Sequence, residues 1–127
     1  MNRKEVMNGY GLDGVLVNAV FKGAGAADPT IPSNTEANKQ TNAAASATRT
    51  GVGVYECVFA AGSVPPRVTQ VIPHVEGAAL QAFVTTQYAA ATRKVVISVF
   101  TAAGVAAELT NLTAFLKLLL VGQDSTA

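Results

Sequence analysis

Residues 45–59 read ASATRTGVGVYECVF. Two short segments suited to extended chain, ASATRT and VYECVF, flank the turn signal Gly51-Val52-Gly53. Side chains of a strand point alternately to opposite sides, so Tyr55, Cys57 and Phe59 share one face. A hairpin with one apolar face needs a second sheet to cover it, and the flanking sequence offers the strands to build one.

Upstream, Gly14–Lys22 (GVLVNAVFK) alternates, with Val15, Val17, Ala19 and Phe21 on one face and Leu16, Asn18, Val20 and Lys22 on the other. Residues 1–13 are polar and punctuated by glycine, and read as an N-terminal arm. Residues 23–44 carry two prolines and two glycines, and Ile31 is their only large apolar side chain. That composition excludes a regular helix or central strand through most of the segment. It reads as a long loop, which fully extended spans about 70 Å.

Downstream, Ser63–Pro66 breaks the chain and Arg67–Val75 (RVTQVIPHV) forms the next strand, with Pro73 placing its end at a sheet edge or bulge. Glu76-Gly77 turns into a strand at Ala79–Tyr88. Arg93–Thr101 (RKVVISVFT) is apolar on both faces and reads as a central strand. Leu109–Val121 is ambiguous. Leu109, Leu112, Leu116 and Leu120 fit a helical face, while AFLKLLLV at 114–121 fits a buried strand. The strand reading is favoured because its neighbours are strands and Gly122 ends the run. The sum is an all-β chain: a single domain at 14–127, an antiparallel β-sandwich or jelly roll of about seven strands, with the arm at 1–13.

Composition narrows the function. Half of the 127 residues are hydrophobic, yet only 6% are aromatic, which predicts a thin core of small side chains. Charged residues make up 13%, about half the usual share. Such a surface is expected to be covered in part by neighbours. The net charge is +1 and the basic residues are scattered, so the clustered cations that neutralise nucleic-acid phosphates are missing. No apolar run approaches the ~20 residues of a membrane helix, so neither membrane nor nucleic acid is expected as a partner.

Candidate chemistry is sparse. The single cysteine, Cys57, alternates with Tyr55 and Phe59 and reads as a buried hydrophobe. A catalytic thiol would need a base, and the one histidine is His74. A zinc or copper site needs further His or Cys ligands. The acids are well separated, with no paired-carboxylate spacing. Gly9–Gly14 satisfies G-x-G-x-x-G but precedes a strand, whereas the dinucleotide fingerprint follows one. Gly23-Ala24-Gly25 follows a strand, but Pro29 and Pro32 remove the helix that would hold a phosphate. Asn111-Leu112-Thr113 is formally a glycosylation sequon, meaningful only in a secreted eukaryotic chain. No enzyme, cofactor or metal is expected.

The run RTGVGVYECVF at 49–59, then VPPRVTQVIPHV, then RKVVISVFTAAGVAAELTN and a last apolar strand resembles small β-proteins of tailed bacteriophage virions. There, an RTGxGxYxVxF strand pair is followed by a strand carrying proline and valine, then by VxVxVFDxxGxxxD. Residues 95–108 match this last element, with Thr101 where an acid is frequent and Glu108 near the closing acid. The likeness spans roughly 14–121. The segment Gly53–Phe59 is also similar to the GxYxFxF strand of trimeric jelly rolls of the complement C1q type.

The first resemblance implies a capsid decoration (cement) protein, made in the host cytoplasm and carried on the virion surface. Its expected partners are the major capsid protein and copies of itself, as a dimer or trimer. Arg3, Lys4, Glu5, Tyr10 and Ile31 are the expected interface residues. The alternative is a receptor- or glycan-binding tip module of a phage tail fibre, which would show exposed aromatics in a shallow pocket.

Overall fold

A computed structural model describes residues 14–32, 42–110 and 113–123. They form seven strands and no helix: β1 (Gly14–Lys22), β2 (Ala44–Gly51), β3 (Val54–Phe59), β4 (Arg67–Glu76), β5 (Gln81–Ala89), β6 (Lys94–Phe100) and β7 (Phe115–Gln123). Two antiparallel sheets face each other, ordered β1-β7-β4 and β2-β3-β6-β5. The protein is an all-β sandwich.

Alternation sets the two inner faces. Tyr55 lies opposite Ile97 and Cys57 opposite Val95. These four, with Phe59 and Val99, are wholly buried. The other sheet supplies Ala19 and Phe21 from β1, Leu116, Leu118 and Leu120 from β7, and Val71 and Val75 from β4. Each fully buried Leu or Phe contributes roughly 1.5–3 kcal/mol, so period-two burial from both sheets fixes the register. β6 lies between β3 and β5, as its two apolar faces require.

The last strand differs from its reading in two ways. It begins at Phe115, and Leu109 is instead a buried anchor in the connection before it. Gly122 does not end β7, which runs on to Gln123. A side chain at 122 would come within 2.5 Å of both the Arg67 carbonyl oxygen and Pro65, so the glycine serves close packing rather than termination. β5 also starts two residues later than read, at Gln81 rather than Ala79. β4 is an edge strand, which accommodates Pro73, although the strand continues past it to Glu76.

The connections gather at two ends. One end carries the β2–β3 turn, the first part of the β1–β2 connection, and the segments after β4 and β6. At the opposite end, Gly14 and Gln123 are paired, beside residues 60–66 and 90–93. The arm at 1–13 and the middle of the 23–44 loop lie outside the described residues.

Candidate functional site

The thiol and the imidazole are kept apart. Cys57 faces the core of one sheet, and burial pushes its pKa up to about 12, the reverse of what a nucleophile needs. His74 is exposed on β4 in the other sheet, out of phase with the inward-facing Val71 and Val75. Among the described residues, no three of His, Cys, Asp and Glu gather into a metal-sized group.

The residues that do gather form a brace. The turn at Gly51–Gly53 delivers the Gly53 N–H to one carboxylate oxygen of Glu108 at 2.9 Å, and Arg49 Nε donates to the other at 2.7 Å. The Gly53 carbonyl accepts the Val99 N–H at 2.7 Å, and the Val99 carbonyl accepts the Ala107 N–H at 3.0 Å. Gly53 has φ 68, and a Cβ there would meet the carbonyl oxygens of Val99 and Ala107 at 2.6 and 2.7 Å, so this turn admits glycine alone. Two positions on from Gly53, the Tyr55 hydroxyl accepts the buried Leu109 N–H at 2.9 Å. Its pKa is raised mainly by burial, against the opposing effect of that hydrogen bond.

The brace therefore ties β2 and β3 to the connection between the sheets. The same connection accepts the Gly25 N–H at the Leu109 carbonyl, 2.8 Å away, and the Asp28 carboxylate accepts the Arg49 N–H at 2.8 Å. Loops held this way present side chains from a fixed frame.

Around the brace lie exposed apolar groups. Val105 is 61% exposed, Val52 53% and Ile31 41%, all on the braced loops. Phe83, near the same end of β5, is 50% exposed. Phe83 packs on Phe100 with ring centroids 5.9 Å apart. Of the interface residues expected from sequence, Ile31 belongs to this end. Arg3, Lys4, Glu5 and Tyr10 lie outside the described residues; their segment joins the fold at Gly14, at the opposite end. Sequence reasoning passed over Val52 and Val105 because turns were read for their glycines and not for what they display.

A concavity lies at the Gly14 end, on the β4/β5 side. Val64, Pro65, Pro66, Tyr88 and Arg93 line about 400 Å³ there. Tyr88 sits edge-on to Phe59 at 6.1 Å, and its pKa is raised mainly by burial. No protein-family model, curated protein or solved structure matches this chain.

Proposed function

We propose that this chain is a non-catalytic structural module that packs onto other protein surfaces, in the role of a decoration protein on a phage head shell. The observation that carries the packing role is the collection of Ile31, Val52, Val105 and Phe83 at and beside one rigidly braced end. Ordered apolar side chains on a fixed frame lose little further entropy when a partner covers them. A charged share of 13% keeps the desolvation penalty of such contacts small. The shell as partner follows from the resemblance of residues 14–121 to small virion β-proteins. Copies of the chain and the major capsid protein are the partners this reading names.

Co-sedimentation with undecorated heads tests it. The protein should pellet with shells at a fixed, saturable stoichiometry and should not pellet alone. A chain that stays in the supernatant at every ratio sinks the decoration role.

The cleft beside Tyr88 favours a second reading, the receptor- or glycan-binding tip of a tail fibre, because a partly exposed aromatic in a shallow hollow suits a sugar face. Binding of the isolated protein to a glycan array would favour that role.

A further inference from the structure

The sandwich is closed along one side and open along the other. On the closed side, the Asn42 side-chain amide brackets β1 by accepting the Val20 N–H and donating to the Val20 carbonyl, both at 2.8 Å. The Ala43 N–H donates to the Asn18 carbonyl, and Lys22 pairs with Thr30. On the open side, no strand among the described residues pairs with the outer edge of β4 or β5. The cleft of about 400 Å³ opens there, and continues past Tyr88 into a hollow of about 220 Å³ beside Thr69, Gln70 and Gln87.

The two open edges are unequal. Pro73 removes a backbone donor from β4, whereas irregular pairing occurs on both edges, at Val68/Gln70 in β4 and between Val84 and Ala89 in β5. β5 (QAFVTTQYA) has neither proline nor charge, so its backbone donors are intact. Five steps along β5 from Val84 to Ala89 oppose three along β6 from Ile97 to Lys94, a pair of irregularities that bend the strand beside the cleft.

Arg93 is the single charged residue lining either hollow. It is also the one non-glycine among the described residues with positive φ, at 56. Its N–H donates to the Ala89 carbonyl at 2.7 Å, and its carbonyl accepts the Phe59 N–H at 3.0 Å. Its Nε donates to the Phe59 carbonyl at 3.2 Å. The guanidinium is thus fixed along one edge, and its two terminal nitrogens have no acceptor among the described residues. A preorganised guanidinium fork without a carboxylate matches an anionic group.

We propose that this cleft receives an extended acidic peptide of a partner protein, which pairs along the β5 edge and sets an Asp or Glu carboxylate on Arg93 beside Tyr88. Backbone pairing supplies the affinity and the Arg93 contact the selectivity, as in other strand-addition sites. The packing role bears only on which partner supplies the peptide; the chemistry of the cleft is independent of it.

The test is an NMR titration of the full-length ¹⁵N-labelled chain with the capped peptide Thr-Val-Asp-Val-Thr-Val, its Asn counterpart, and glucuronate. Amide shifts confined to residues 64–70 and 85–93 are expected with the Asp peptide, and at least about fivefold weaker binding with the Asn peptide. Arg93→Gly should lose the same factor while keeping its fold, because glycine adopts this φ without strain and only the Nε bond to the Phe59 carbonyl is lost, which should lower the melting temperature slightly. Equal binding of both peptides, shifts elsewhere, or no shifts at millimolar peptide overturns the proposal. Glucuronate binding without peptide binding would reassign the cleft to a glycan. Tenfold tighter peptide binding by a chain ending at Gln123 would make residues 124–127 the natural occupant. Failure here in a chain that still pellets with shells removes the cleft proposal alone.

Discussion

Arg49 and Glu108, 59 residues apart in sequence, meet at 2.7 Å, and the other oxygen of the same carboxylate holds the Gly53 N–H. Both side chains of the pair are about three-quarters covered. Glu108→Ala should therefore cost about 1–2 kcal/mol in chemical denaturation, more than an open surface pair, because it also strands the Gly53 N–H. Glu108→Gln keeps an acceptor for that N–H and should cost less than half as much. Equal losses in the two variants would show that charge alone matters.

Tyr55→Phe removes the acceptor of the buried Leu109 N–H and leaves that donor unpaired. The expected loss is about 1–3 kcal/mol in denaturant unfolding. Amide exchange at Leu109 should rise by more than this global loss explains. A phenylalanine variant with unchanged stability and exchange would remove Tyr55 from the brace.

Cys57 and Tyr55 both have pKa values raised by burial, so the folded state holds their protons more tightly than the unfolded chain does. For an acid shifted this way, stability is complete below the unfolded pKa and falls as pH rises towards the folded one. The thiol contribution should thus begin to fall near pH 9 and go on falling to about 12. By pH 10 the native protein should have lost about 1.4 kcal/mol relative to a Cys57→Ala chain compared at each pH. The thiol should also resist alkylation until the protein unfolds; rapid labelling of the native state at pH 8 would contradict its burial.

Much of the sandwich was legible because its strands obey period two. β1 and β3 read with their observed bounds, since Val, Phe and Tyr recur at alternate positions and glycine marks both ends of β1 and the start of β3. β6 was read as central from Val95, Ile97 and Val99 on one face and Val96 and Phe100 on the other. The C-terminal end of β7 was misjudged because the role of Gly122 depends on Pro65 and Arg67, more than 50 positions away. The place of Leu109 depends likewise on Tyr55. Ile31 stood out as the lone large apolar residue of its loop. Glu108 was visible only as a motif position, since the Arg49 and Gly53 that complete the brace arrive through the turn. No local pattern announces the φ of Arg93.

The packing role is tested most directly by the stoichiometry of shell binding for the wild type and for a Val52→Asp, Val105→Asp double variant. Both substitutions fall on exposed side chains, so the variant should keep its fold and its melting temperature. Charging the apolar end should lower shell occupancy by at least about tenfold, as expected when carboxylates are buried against a partner without pairing. A double variant that decorates shells at the wild-type stoichiometry and affinity would contradict the assignment of this end as the packing surface.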